Sequence, residues 1–436
     1  MIKKAAFTLI PLLLGGGLQA QVANVGSAKF NIDLSGNTLK IPIYSTHDLY
    51  AGNSDLQSAV IVIHGTNRNA DDYFENMQIA ANSVADLSAN TLIIAPQFLT
   101  ESDIDHHGLD EQHLYWTSGG WKSGSNSRDE DSYPRPVRIP SYAVLDSLLL
   151  HIARQFPDLE MITLTGHSAG GQLTQRMAAT SPVPEQLCGE FGVGIRFVVA
   201  NPSSYVYMDD QRRKSGTLSQ FEVPNTTCDD YNEWKYGLED LYTYPNRVGR
   251  DSIRSMFGKR KVIYLLGEED DNPTASGLDK SCAANLQGTH RYERGIIFHN
   301  HLQYFYGSSI TENHQLVTIP NVGHSNFDMY NSSQGKAILF ESSEQSCEYV
   351  VSTAPQLQHP QVKLFPNPSQ GSIQFSDLDV HDHSIPVTLF DIQGRKVWRG
   401  KVSLDQSLDV SHLIPGIYIL YLKADDQPLR RRLIIQ

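Results

Sequence analysis

Met161-Ile162-Thr163-Leu164-Thr165-Gly166-His167-Ser168-Ala169-Gly170 is the stretch on which the reading of this chain turns. A short apolar run enters a glycine–x–serine–x–glycine sequence, and Gly171 to Ala179 beyond it reads as a helix. Strand, tight turn, serine, helix is the setting in which that pattern carries chemistry. Gly166 and Gly170 stand two residues to either side of Ser168, where a sharp turn leaves no room for a Cβ. The turn would lift the Ser168 hydroxyl clear of the sheet edge. The following helix would aim its positive end, and the Ala169 backbone N–H, at whatever that hydroxyl attacks. Alone the pattern is weak, since glycine and serine are common; its weight comes from its surroundings.

Those surroundings alternate. Phe30 to Leu34 and Leu39 to Tyr44 read as a hairpin turning near Gly36-Asn37. Ala59 to Ile63 is a continuous apolar run, the mark of a strand buried on both faces; Thr91 to Ala95 reads as another buried strand, and Ile195 to Ala200, Val262 to Leu266 and Gln315 to Ile319 read as further strands. Between them lie apolar stripes at helical spacing: Tyr73 to Leu87, Ser141 to Phe156, Gln287 to Tyr306 and Phe327 to Phe340. The order implies a parallel sheet wrapped by helices, which places its chemistry at the carboxyl ends of the strands. Two stretches read as irregular: a polar loop from Glu101 to Pro140, and an aromatic-rich insert at about 201–254. The insert's aromatics are expected both to fill a lid core and to face the serine.

A serine becomes a nucleophile when a base takes its proton, an acid holds that base, and donors receive the oxyanion. Gly267-Glu268-Glu269-Asp270 supplies a carboxylate just past one buried run, and Gly323-His324 follows the last. We assign Ser168 as nucleophile, His324 as general base and then acid, and Asp270 as the group orienting His324; Glu268, Glu269 and Asp271 are its neighbouring alternatives. The oxyanion donors are the backbone N–H groups of Ala169 and of Thr66, in the His64-Gly65-Thr66-Asn67 turn after Ile63. His167 reads as polar support facing away from the reaction. His106 and His107, among acids but without the spacing of a metal site, read as solvated, and His299 and His301 diverge along a helix. No cofactor and no metal is expected.

In these motifs the chain resembles the α/β-hydrolase family from roughly Phe30 to Phe340: His64-Gly65, Gly166 to Gly170, Gly267 to Asp270 and Gly323-His324. The resemblance implies an α/β fold with a mostly parallel eight-stranded sheet, and hydrolysis through an acyl-enzyme. Beyond 360 the composition changes to short strands separated by Asn367-Pro368, Gln393-Gly394 and Pro415-Gly416, an all-β sandwich. With Phe365-Pro366-Asn367-Pro368, Gly371, Asp391 to Gly394, Pro415 to Tyr418 and Arg430 to Ile435, this tail resembles the C-terminal sorting domain of type IX secretion. That resemblance implies passage through the outer membrane by the type IX machinery.

The remaining features agree with export. Lys3 and Lys4, an apolar segment from Ala5 to Leu14 and small residues to Ala20 read as a signal peptide, too short to span a bilayer. The expected organisation is a signal peptide (1–20), a catalytic domain (21–350), a linker (351–360) and a β-sandwich (361–436), with no transmembrane segment in the mature chain. The net charge of -13 disfavours nucleic acid as a partner. Of the three pairings open to four cysteines, Cys188–Cys228 and Cys282–Cys347 close the shorter loops and are favoured. The chain thus reads as a secreted or surface-attached serine hydrolase of a small or polymeric carboxylic ester. The rivals are a peptidase or amidase with the same triad, and a non-catalytic adhesion protein on a hydrolase fold.

Overall fold

Strand β3 (Ser58–Ile63) shows why a central sheet forms. Five of its six residues are buried, so neither face can be left to water. Ala59, Ile61 and Ile63 enter one apolar cluster while Val60 and Val62 enter another, following the two-residue period of a strand. The computed structural model describes residues 21–52, 56–84, 90–341, 363–376, 384–391, 396–403, 407–424 and 427–435. The expected signal peptide (1–20), the linker (351–360), Leu87, Cys347, Gln393 and Gly394 lie outside the described residues.

Around β3 stand β1 (Ala28–Leu34), β2 (Asn37–Ser45), β4 (Thr91–Pro96), β5 (Met161–His167) and β6 (Gly194–Ala200). A short pair, β7 (Arg212–Arg213) with β8 (Phe221–Glu222), lies apart, and β9 (Val262–Gly267) and β10 (His314–Ile319) complete the large sheet. Its order is β1-β2-β4-β3-β5-β6-β9-β10. From β4 to β10 every pairing is parallel, and β2 alone runs against its neighbours. This is the mostly parallel sheet of the α/β-hydrolase fold. Helix α1 (Ala70–Asn82) packs on one face, through Tyr73, Met77 and Ala81. The other face carries α3 (Ser141–Gln155) and α4 (Ala169–Thr180), once α2 (Glu101–His107) has intervened in the chain.

Several elements differ from the sequence expectation. Helix α1 begins three residues earlier than its apolar stripe and ends at Asn82. The segment from Glu101 starts as the helix α2, because Thr100 and Asp103 form a reciprocal capping box. The insert holds β7, β8 and the helices Thr243–Val248 and Arg250–Phe257. The helix expected from Gln287 starts at Arg291, capped by the His290 side chain. The last helix is broken, since the Ser332 side chain caps a new start at Ser333–Lys336. Cys228 pairs with Cys282, their Cα atoms 5.8 Å apart, which overturns both favoured pairings. Loop length ranks pairings in an unfolded chain, whereas the fold selects those whose Cα atoms come within reach.

The described residues fall into two compact units, 21–341 and 363–435. The second contains a three-stranded and a four-stranded antiparallel sheet. Ile373, Val387, Leu389, Val402, Leu420 and Leu433 fill its core. Among the described residues no helix is long and apolar enough to cross a membrane.

The turn after β5 depends on absent side chains. A Cβ on Gly166 would run into the Gly170 backbone, and one on Gly170 into the Ile63 carbonyl. Gly171, outside the five-residue pattern, is held as tightly: its Cβ would lie 2.6 Å from the Ala200 carbonyl oxygen. These obstacles are backbone, which cannot rotate aside. Gly170→Ala should therefore cost at least the ~1–3 kcal/mol typical of overpacking, read as a lower urea midpoint; an unchanged midpoint would refute this account of the turn.

Candidate active site

Ser168 sits between β5 and α4 at φ 60° and ψ −116°, a conformation side-chain-bearing residues rarely adopt. Its N–H donates to the Ala200 carbonyl at 3.0 Å, and its own carbonyl accepts from Gln172 at 3.1 Å. The strained residue is thus fixed at both peptide groups, and its hydroxyl faces the rim of the sheet.

His324 follows β10, and Asp270 follows β9. The His324 Nδ1 lies 2.6 Å from Asp270 Oδ2, and Nε2 lies 2.9 Å from Ser168 Oγ. An ionised carboxylate only accepts, so Nδ1 carries the proton and Nε2 accepts from the serine O–H. Asp270 is buried, 3 % exposed, while Glu268, Glu269 and Asp271 are exposed. That contrast separates Asp270 from its acidic neighbours. The turns bearing acid and histidine are joined: Glu269 N–H donates to the Val322 carbonyl, and the Asn201 side chain bridges the Gly267 N–H (2.9 Å) and the Gly323 carbonyl (3.3 Å).

Thr66 and Ala169 border the same cleft as Ser168. Among the described residues no protein group accepts a hydrogen bond from either backbone N–H. The Thr66 turn is held from below. Arg68 donates from Nη1 to the Thr66 carbonyl at 3.3 Å, and its Nε meets Asp103 of α2 at 2.8 Å in a fully buried ion pair. A Cβ on Gly65 would come within 2.7 Å of the Tyr73 hydroxyl. His64 is buried and neutral: Nδ1–H donates to the Gly65 carbonyl, Nε2 accepts from the Phe98 N–H, and burial pushes its pKa down to about 4.

His167 does not face away from this site. Its ring lies 4.4 Å from that of His324, and its Nδ1 meets the Tyr73 hydroxyl at 3.3 Å. Burial, then the His324 charge, drives its pKa well down. No aromatic ring of the insert borders the serine's cleft; Tyr205, Tyr207, Trp234 and Tyr244 pack into the main core instead. His107 donates toward the Val22 carbonyl at 2.9 Å. His299 and His301 turn to different partners, the His314 carbonyl and the Asp209 carboxylate.

The sequence reading passed over Arg291. Its guanidinium, 1 % exposed, meets Asp270 Oδ1 at 3.3 Å, so the carboxylate lies between a cation and the imidazole. A signal existed. Arg291 opens a helix, where the dipole disfavours a positive charge, and such a residue implies a nearby anion. Asn201, which unites the two turns, left no such mark.

Residues 363–436 match the family model of the secretion system C-terminal sorting domain. The chain is therefore a type IX export product, secreted or held at the cell surface. No curated protein matches it. Among solved structures it resembles a poly(3-hydroxybutyrate) depolymerase from Bordetella parapertussis, at 20 % identity and a TM-score of 0.47, over 73 % of this chain and 91 % of that one. It also resembles poly(aspartic acid) hydrolase-1 from Sphingomonas sp. KT-1, at 22 % identity and a TM-score of 0.46, over 72 % and 98 %.

The His64 pKa gives the site a pH signature. A histidine titrates near 6.5 when unfolded and near 4 here, so folding disfavours its charged form. Its contribution to stability is complete above pH 6.5 and is lost as the pH falls towards 4. His64→Asn should flatten the fall of unfolding free energy across that window by about one proton, ~1.4 kcal/mol per pH unit. An identical slope in variant and wild type would contradict the assignment of a neutral His64.

Proposed function

We propose that this protein is an exported serine hydrolase that cleaves carboxylic esters through an acyl-enzyme on Ser168. The observation that carries the reading is the continuous relay from Ser168 Oγ to His324 Nε2 and from His324 Nδ1 to Asp270, in a cleft also lined by Thr66 and Ala169, whose backbone N–H groups have no protein acceptor among the described residues. In the first step Ser168 Oγ attacks the ester carbonyl carbon while His324 Nε2 takes the hydroxyl proton. The carbonyl oxygen becomes an oxyanion, received by the Thr66 and Ala169 N–H groups and by the positive end of α4. Asp270 stabilises the imidazolium and holds the Nδ1–H tautomer. Collapse of the intermediate breaks the bond to the leaving oxygen, which takes the proton from His324 and departs as an alcohol. Water then repeats the sequence on the acyl-enzyme: His324 accepts its proton, hydroxide adds to the carbonyl, and the proton returns to Ser168 Oγ as the acid leaves. No cofactor enters these steps.

Arg291 acts through Asp270. With the His324 Nδ1–H, its guanidinium replaces the water that the buried Asp270 carboxylate has given up, and so fixes where that carboxylate stands beneath the imidazole.

Two outcomes are expected. Ser168→Ala in the full-length protein should retain its Tm and lose at least ~10³-fold in kcat on p-nitrophenyl butyrate, together with labelling by a fluorophosphonate probe. Turnover surviving in that variant would exclude Ser168 as nucleophile. Arg291→Leu should lower kcat about tenfold or more with little change in KM, with Arg291→Lys returning part of the loss; a kcat equal to that of wild type would deny Arg291 any part in positioning Asp270.

A further inference from the structure

The cleft beside Ser168 has a volume of about 370 Å³, and its walls are unlike those of an apolar ester pocket. Leu278 supplies its only large apolar side chain. Lys122, Lys235 and Lys280 line it, against one acid, Asp279. That acid is already engaged. Its carboxylate accepts from the Tyr236 hydroxyl at 2.8 Å, the Ser281 N–H at 3.1 Å and the Ser204 hydroxyl at 3.5 Å. Lys280 is exposed and donates to the Thr274 carbonyl at 3.1 Å.

Lys122 and Lys235 are placed differently. Both are partly buried, and among the described residues neither ammonium donates to a protein acceptor. Lys235 Nζ has a ring contact, 5.2 Å from the Tyr236 centroid. Behind them Arg176 is fully buried, donating to the Lys122 carbonyl at 3.0 Å and to Ser204 Oγ at 3.2 Å, with its Nε unpartnered. Burial, then the Lys235 and Arg176 charges, pushes the Lys122 pKa down to about 8; burial, then Arg176, lowers that of Lys235. Asp279 attracts both ammonium groups, and Asp230 attracts Lys235, but the Asp279 hydrogen bonds go to Tyr236, Ser281 and Ser204; two half-desolvated cations facing one space with no hydrogen-bonded counter-ion among the described residues destabilise the protein that holds them. In a chain of net charge -13, their concentration here is not a reflection of overall composition. An anion seated between them would relieve both the desolvation and the mutual repulsion.

We propose that Lys122 and Lys235 form an anion subsite, and that the esters cleaved at Ser168 carry a negatively charged group, a carboxylate or a phosphate, a few bonds from the scissile carbonyl. This rests on the hydrolase reading above. Lysines offer point charges rather than a planar fork, so the subsite accepts either anion by charge.

The test compares monomethyl adipate with methyl hexanoate, esters of matched length that differ in the terminal carboxylate, using the full-length protein. Wild type should favour the charged ester in kcat/KM. Lys122→Gln/Lys235→Gln should reduce that ratio by about tenfold, chiefly through the KM for monomethyl adipate, the factor a charge-assisted contact supplies. Lys235→Gln alone should reduce it less, and Lys122→Arg should preserve it. A second readout needs no catalysis: adipate or inorganic phosphate, at matched ionic strength, should raise the Tm of wild type and not of the double variant. A response to adipate alone supports a carboxylate ester, and to phosphate alone a phosphate-bearing one. A charged-to-neutral ratio unaffected by both lysines, with no lysine-dependent Tm shift, would overturn the subsite. Absence of Ser168-dependent turnover of either ester, with the Tm shift intact, would overturn the hydrolase reading and leave the anion subsite supported.

Discussion

At the rim of the large sheet one backbone residue is held where side chains are rarely found. Ser168 has φ 60° and ψ −116°, a geometry that costs on the order of 1–3 kcal/mol. It persists because its surroundings leave no alternative. Its N–H and carbonyl are both bonded, to Ala200 and Gln172, and all twelve residues of α4 behind it are buried. Gly166, Gly170 and Gly171 let β5, β3 and β6 close upon the turn until backbone meets backbone. The same compression that strains the serine lifts its hydroxyl to the rim and presents the Ala169 N–H beside it.

The opposite side of the site rests on a buried charge. A carboxylate as enclosed as Asp270 is costly to bury unless partners replace the water it lost. The His324 Nδ1–H and the Arg291 guanidinium do so from two directions. Asn201, just past β6, joins the acid turn to the histidine loop by hydrogen bonds to both. On the other side Arg68 and Asp103 serve the same end, tying the Thr66 turn to α2. Ser168, Asp270 and His324 therefore stand on turns whose freedom is restricted by buried polar contacts, as a site of fixed geometry requires.

Charge is distributed unevenly in this molecule. The chain is acidic overall, yet the space in front of the serine is bounded by lysines and backed by a buried arginine. The insert accounts for part of this. Tyr205, Tyr207, Trp234 and Tyr244 turn inward and join the core, anchoring the segment, and Lys235 is carried from the same segment to the cleft.

The sequence alone was sufficient for the fold class. Continuous apolar strands at regular intervals, with helical stripes between them, admit few arrangements other than a parallel sheet covered on both faces, and the glycines around Ser168 mark the sharp turn because only a missing Cβ permits it. The tail's short strands were legible for the same reason: they reflect local backbone requirements. Ser168, Asp270 and His324 could be singled out one at a time, each just past a buried strand, but their convergence within hydrogen-bond distance belongs to the tertiary structure. So do the Arg291 partnership, the Asn201 bridge, the approach of the His167 ring to His324, the Cys228–Cys282 bond and the two lysines of the cleft. These are contacts between residues tens to more than a hundred positions apart. No local propensity encodes them, because which distant charge or ring fills a desolvated space is decided only when the strands and helices have packed around it.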